Sequence, residues 1–350
     1  MKNKITCLLA GAALFGATAN AEIVLTEDLS AYGYIDMALT DGDGTGNTDT
    51  AVAEYELGFA FTPAESAWSA VAELSFDGEG VTDFETVTIS YQYSDSLSFT
   101  FGNILSYQGF ETFDATGLYQ YSYAGADNTP LYSAGYAVGA SADGSMGDID
   151  YGVWIGDDAA GDSGTNSFEY LLAYNGIENL TIKAIVADDP GYDTTNIWAS
   201  YDYGNFTFAV EMVDTEFDGG SDIVGTYETY EQPLFDATQA ALALAGLPAL
   251  AGNEFAPGGL LLDDLEATMF MVYYAMGDAG LTVRFTDGTY TGNIPGLGGL
   301  ELDYEKFTIS PSYAFSDNVF GLIEFSSEEI SGAGVTVDND TAAVELIYSF

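Results

Sequence analysis

The chain reads as a succession of short segments in which apolar and polar residues alternate with a period of two. The clearest is the last, Thr341 to Phe350. Ala342, Val344, Leu346, Tyr348 and Phe350 share one parity, and Thr341, Ala343, Glu345, Ile347 and Ser349 the other. Strand side chains point to opposite faces in turn, so the segment has a greasy face and a mostly small or polar one. About ten tilted strand residues cross a bilayer core. The same pattern predicts strands at 29–40, 50–62, 67–77, 84–94, 97–106, 130–142, 147–156, 167–176, 179–188, 194–203, 205–214, 265–277, 279–287, 304–316, 318–327 and 340–350. That is an even number, about sixteen, as closed antiparallel barrels of bacterial outer membranes require.

The connections alternate in length. Tight turns are expected at Pro63 to Ser66, Asp95-Ser96, Asp143 to Gly147, Asn175 to Glu178, Gly204, Gly277 to Ala279 and Asp317. Longer connections, rich in Gly and Asp, are expected at 41–49, 77–83, 107–129, 157–166, 188–193, 215–264, 288–303 and 328–339. Short turns on one side and long loops on the other are what an outer-membrane barrel shows, and both chain ends then fall on the short-turn side. Within 215–264, the apolar run Ala237 to Ala251 is broken by Gly246 and Pro248 and reads as a short helix in a loop.

Parity also sorts the charges. Asp36, Glu54, Glu56, Glu73, Asp202, Glu211, Glu324 and Glu345, with the basic residues Lys183, Arg284 and Lys306, are expected to face the lumen. Tyr55, Leu57, Phe59, Val87, Ile89, Phe206, Phe208, Val283, Phe285, Phe307 and Ile309 take the opposite parity. A charge facing lipid at the midplane costs about 2–4 kcal/mol, which explains such sorting. Tyr91, Tyr93, Tyr201, Tyr203, Phe315 and Tyr348 all sit near tight turns, as an interfacial aromatic girdle would. Pro311 removes a ladder bond from its strand and is expected to mark a bulge.

Composition fits this reading. The 350 residues are 14% aromatic and include 41 Gly and 25 Tyr but only 8 Pro, a mixture of strand and turn formers. The net charge of −50 comes from acids dispersed among apolar residues, unlike the runs of a disordered tail. Residues 1–21 read as a cleaved signal peptide. Lys2 and Lys4 form a basic start, Ile5 to Ala17 a short apolar core, and Ala19-Asn20-Ala21 a cleavage site. Cys7, the only cysteine, lies within it, so the remainder has no disulfide and no thiolate metal site. No later stretch is apolar enough for a transmembrane helix.

The signal peptide, the alternating strands and the terminal Phe350 resemble Gram-negative outer-membrane porins. Phe99 to Tyr123, with Phe-Gly-Asn-Ile-Leu-Ser-Tyr-Gln-Gly-Phe-Glu at 101–111, is similar to a segment of a β-barrel porin family in which a strand leads to a Gly-Tyr/Phe-Glu turn and a Tyr-rich stretch. Asn103 stands where that family commonly has a basic residue. The resemblance implies passive diffusion of small hydrophilic solutes and cations across an outer membrane. It also implies an assembly signal at Tyr348 and Phe350, read by the outer-membrane assembly machinery. Outer-membrane lipid is then a partner, and a homotrimer is left open.

In sixteen-stranded general porins the third long loop folds into the lumen and narrows it. Here 107–129 takes that place, so Glu111, Asp114, Asp127, Tyr119 and Tyr121 are the expected pore constriction. An ordinary surface loop is the alternative for these residues, and 215–264 is a second candidate for a plug or lid.

Other chemistry finds little support. Asp41 to Asp49 resembles the start of a calcium loop, but Val52 stands where a bidentate acid is needed. Loosely held divalent cations such as calcium are therefore expected at most, with no cofactor. With no His, Ser-His-Asp catalysis and His-ligated metals are excluded. No enzyme activity is indicated. A strongly acidic chain repels phosphate, which excludes nucleic acid. The expectation is thus a single closed antiparallel transmembrane β-barrel over 22–350, all-β, acting as a cation-selective porin. A substrate-selective carbohydrate channel, or a secreted cation- or carbohydrate-binding β-protein, is the alternative.

Overall fold

The computed structural model describes residues 22–42, 49–77, 82–111, 113–122, 131–132, 135–157, 166–217, 261–294, 298–332 and 335–350. The signal-peptide stretch 1–21, most of the acidic loop after Asp41, and the expected helix at 237–251 lie outside these residues.

The strands are β1 (Ile23–Val24), β2 (Leu29–Gly42), β3 (Asp49–Phe61), β4 (Trp68–Asp77), β5 (Thr82–Ser94), β6 (Leu97–Leu105), β7 (Tyr136–Met146), β8 (Ile149–Asp157), β9 (Asn166–Ile177), β10 (Leu180–Asp189), β11 (Tyr192–Tyr203), β12 (Phe206–Phe217), β13 (Leu261–Met276), β14 (Ala279–Ile294), β15 (Gly298–Ser316), β16 (Val319–Gly332) and β17 (Val335–Ser349). Each from β2 onward pairs antiparallel with the next. β17 then pairs with β2, from Thr341↔Gly42 to Ser349↔Tyr34. The result is a closed 16-strand antiparallel barrel with one extra strand. Closure satisfies the backbone without leaving an edge, a condition for spanning lipid.

The two chain ends complete the seam together. Phe350 and Gly33 exchange N–H···O bonds of 2.9 Å each. Beyond Phe350, β1 takes over the same side of β2 through Ile23↔Ala31 and Val24↔Ser30. Both ends lie on the tight-turn rim, where Thr62 N–H reaches Asp28 O and Ser349 N–H reaches Asn318 O.

Burial is inverted relative to a water-soluble sheet. Glu211, Thr215, Thr282, Arg284 and Thr308 are fully buried, while Phe270, Phe285, Phe307, Phe325 and Val344 are exposed. Alternation decides this strand by strand: in β15 Lys306, Thr308 and Ser310 point inward while Phe307 and Ile309 point out. The outer apolar band has sharp limits. It spans Phe307 to Phe315 on β15, nine residues, about the height of a bilayer-facing belt. At one limit the exposed aromatics Tyr93, Tyr203, Phe315 and Tyr348 border the tight turns. At the other, outward acids begin, and they face one another across strands: Asp214↔Glu266, Asp287↔Glu305 and Glu305↔Glu329.

Several boundaries differ from expectation, for physical reasons. The regions 188–193, 288–303 and 328–339 are mostly strand. β10 and β11 are joined by the two-residue turn 190–191, β14–β15 pair as far as Ile294↔Gly298, and β16–β17 as far as Gly332↔Val335. Beyond the apolar band the outward positions turn polar, as at Asp287, Thr289 and Thr291, while the inward ones carry Tyr290, Leu302 and Tyr304, so the alternation inverts and the stretch imitates a loop. β7 starts at Tyr136, not 130, and runs through 143–146 to a turn at Gly147 and Asp148. Gly147, with φ of 66°, supplies the left-handed turn residue there. β9 likewise runs to Ile177, so the turn is Glu178-Asn179 and Asn175 is in the strand. Pro311 does not make a bulge. Its pairing resumes in the same register, Ile309↔Phe325 and then Ser312↔Leu322, and the shift falls later, between Ala314 and Ser316. One missing N–H costs ladder bonds but inserts no residue.

Candidate functional site: the loop along the inner wall

The connection leaving β6 at Leu105 turns inward at once. Ser106 Oγ donates to Glu169 Oε1 and the Tyr107 N–H to Glu169 Oε2, both at 2.6 Å. The Gly109 N–H reaches Asn196 Oδ1 at 3.2 Å, and the Phe110 N–H reaches Glu211 Oε1 at 2.9 Å. Asn196 Nδ2 donates to the same Glu211 oxygen at 2.7 Å. Glu169, Asn196 and Glu211 are buried and point inward from β9, β11 and β12. Three strands thus present polar side chains to an extended backbone whose N–H groups have no ladder partner.

Further along, Glu111 meets Arg284 of β14. Arg284 Nη1 lies 2.9 Å from Glu111 Oε2 and 3.1 Å from Oε1. The two side chains are 0% and 1% exposed. Gln120 Nε2 donates to Glu111 as well. Arg284 also donates to Ser122 O at 3.1 Å and Ser122 Oγ at 3.0 Å. Ser122 in turn donates to Glu324 of β16, through its N–H at 2.9 Å and its Oγ at 2.8 Å. Thr282 Oγ1 donates to Tyr119 O at 2.7 Å. Tyr119 is buried, stacked 6.5 Å from Phe110 and tilted against Tyr273 at 5.0 Å, and Phe110 meets Trp198 edge-on at 5.4 Å. The loop is therefore pinned to β9–β16 by polar bonds along an apolar seam.

Between these anchors, one 3-10 turn (Ala115–Gly117) carries Asp114 to the other wall. There Asp114 stands among Glu54, Glu56, Glu73 and Glu85 of β3, β4 and β5. Its burial, then repulsion from Glu73 and Glu54, pushes the Asp114 carboxyl up from the usual carboxylate range. Glu54 accepts from Tyr34 Oη and Ser75 Oγ at 2.7 Å each, and Glu73 from Tyr32 Oη at 2.5 Å.

Of the anticipated residues, the structure brings Glu111 to Arg284, Asp114 to the acidic wall, and Tyr119 into the apolar seam; Tyr121 is half-buried. Asp127 lies outside the described residues. Asp36, Glu56, Glu211, Glu324, Glu345 and Lys306 are buried on the inward parity. Asp36 and Glu345 meet side chain to side chain. Lys183 sits over the Trp198 ring, 4.9 Å from its centroid. Asp202 is exposed at the tight-turn rim, accepting from Thr207 Oγ1 at 2.6 Å. The expected imbalance of acids over bases takes a different form, because Glu111 and Arg284 neutralise each other.

Glu85 was not foreseen, and the reason is local. Its parity matches lipid-facing Val87 and Ile89. The β4–β5 register shifts between Ala72↔Val87 and Leu74↔Phe84, placing one extra residue in β5, and this bulge turns Glu85 inward. Asn103 Nδ2 ties the bulge down, donating to Phe84 O at 2.9 Å and Glu85 O at 2.5 Å. Beside it, Gly102 has φ of 135°, and a Cβ there would lie 1.9 Å from Val87 O. Glu169 and Asn196, the loop anchors, carry no sequence signal beyond being polar on an inward position.

No protein-family model matches this sequence, and no curated protein does either. Solved structures do. OmpT (in-vitro folded), an outer membrane protein of Vibrio cholerae, superposes with a TM-score of 0.63 at 11% identity, covering 94% of this chain and 100% of that one. OmpF of Salmonella typhi, in complex with daunomycin, gives 0.63 at 13% identity with the same coverage. The anion-selective porin from Comamonas acidovorans gives 0.61 at 12% identity, covering 92% of this chain and 99% of that one. At such identities the likeness concerns the fold, and in fold this chain is a porin-type barrel with its third long connection laid against the inner wall.

Proposed function

We propose that this protein is an outer-membrane porin: a water-filled channel for small hydrophilic solutes, with a preference for cations. The barrel matches porin structures over nearly its full length, and its outer face offers an apolar band that suits lipid and not water. One structural relative is described in a trimer form, and a homotrimer is the assembly we expect here.

Selectivity is a matter of charge placement, since the same fold houses an anion-selective porin. The observation that carries the cation reading is the acidic wall. Glu54, Glu56, Glu73 and Glu85 crowd around Asp114 inside the barrel, and no Lys or Arg lies on β2–β6. Arg284 is matched by Glu111, and Lys183 and Lys306 lie on β10 and β15. Low-dielectric walls focus the field of such a group, and carboxylate-lined constrictions select cations. The segment 106–122 is the constriction in this reading.

The test is a planar-bilayer measurement of reversal potential across a KCl gradient. Cation preference is expected in dilute salt. It should fade toward 1 M, where the Debye length falls from about 10 Å to about 3 Å. Changing Glu54 and Glu73 to Gln should reduce it more than changing the outward Glu301 and Glu305. Anion preference in the unaltered protein would overturn the reading.

A further inference from the structure

We propose that Glu56, Glu85 and Asp114 form a calcium site inside the barrel, assembled only when the loop after β6 docks. One carboxylate oxygen from each lies within 4.8 Å of the others. Calcium takes about six to eight oxygens at about 2.3–2.6 Å in flexible geometry, whereas magnesium, at about 2.0–2.1 Å, demands a near-ideal octahedron and gives up its waters reluctantly, so a cage of protein carboxylates favours calcium. The donor set is all carboxylate, which suits a hard cation.

A second observation points to a ligand. Glu85 is 8% exposed, and its Oε2 has no hydrogen-bond partner. Glu56 is 5% exposed and makes no side-chain hydrogen bond among the described residues. The neighbouring acids are treated differently: Tyr34 and Ser75 serve Glu54, and Tyr32 serves Glu73. Ser75 also reaches Glu85, but the buried Glu85 Oε2 is left without a donor. Buried carboxylates without donors are costly unless a cation or a proton meets them. The β5 bulge, held by Asn103 and Gly102, exists at the residue that turns the third ligand inward.

The site goes beyond the channel reading and is tested without conduction. The full-length mature protein, folded in detergent and stripped with chelator, is titrated with CaCl2 by calorimetry in 0.1 M KCl. We expect one saturable calcium per barrel, with magnesium at least tenfold weaker. Glu56→Gln and Glu85→Gln should each weaken calcium at least tenfold. Glu301→Gln with Glu305→Gln, on the outer surface, should leave it unchanged. Folding of each variant is checked by its gel migration before and after heating. Should Glu85→Gln not fold, Glu85→Asp keeps the charge, retracts the oxygen, and should also weaken binding. Absence of a saturable site, equal binding of magnesium, or equal loss in the outer-surface variant overturns the proposal. So does wild-type affinity in Glu85→Gln, which would mean that Glu85 is not a ligand, whereas absence of a site would mean that a proton balances the cluster instead.

Discussion

Replacing Arg284 with Met should release the inner loop while leaving the barrel closed. Arg284 is fully buried, and its Nη1 and Nη2 reach Glu111, Ser122 O and Ser122 Oγ within 3.1 Å. Met fills similar volume but leaves the Glu111 carboxylate, 1% exposed, with Gln120 as a remaining partner and no opposing charge. Removing one member of a buried pair costs about 3–5 kcal/mol. That cost falls on docking, because Glu111 can escape burial only by leaving with its loop. At 1.4 kcal/mol per factor of ten, the docked-to-free ratio drops by about 100- to 4,000-fold. Limited proteolysis of the folded protein reads this directly: cleavage between 106 and 135 should accelerate while other connections keep their rates. If the loop constricts a channel, single-channel current should also become larger and noisier. Replacing both partners, Arg284→Met with Glu111→Leu, removes the orphaned charge and should restore much of the protection. Unchanged proteolysis in Arg284→Met, or a double variant as labile as the single one, would refute the reasoning.

Two further outcomes follow from local geometry. Gly102→Ala forces a Cβ onto Val87 O at a backbone conformation L-residues rarely adopt. The strain should cost about 1–3 kcal/mol, seen as a lower midpoint of guanidinium unfolding, and an unchanged midpoint would show that the bulge tolerates a side chain. Deleting Phe350 removes both backbone bonds to Gly33 at the seam and the ring that contacts Tyr348 at 6.3 Å. Less heat-modifiable barrel should accumulate in the membrane, and wild-type amounts would argue against a role for the terminal residue in assembly.

Much of the fold was legible in the sequence because a membrane enforces it. Lipid on one side and water on the other impose a period of two wherever a strand crosses the apolar band, so Phe307, Ile309 and Phe315 can be placed against Lys306, Thr308 and Ser310 from residue types alone. Above the band that constraint ends, and the outer parts of β14, β15, β16 and β17 looked like loops although their backbones pair without a break in register. The site was legible only in part. Position along the chain marked the loop after β6, and composition marked its acids. Which acid does what is a long-range matter: Glu111 is matched by an arginine 173 residues away, while Asp114, three residues on, meets unmatched glutamates. Glu85 lay beyond any periodic reading, because one extra residue in β5 reverses its face. Periodicity is set locally by the pleat; the partner of a buried charge, and the residue at which a strand bulges, are set by strands and loops that only closure of the barrel brings together.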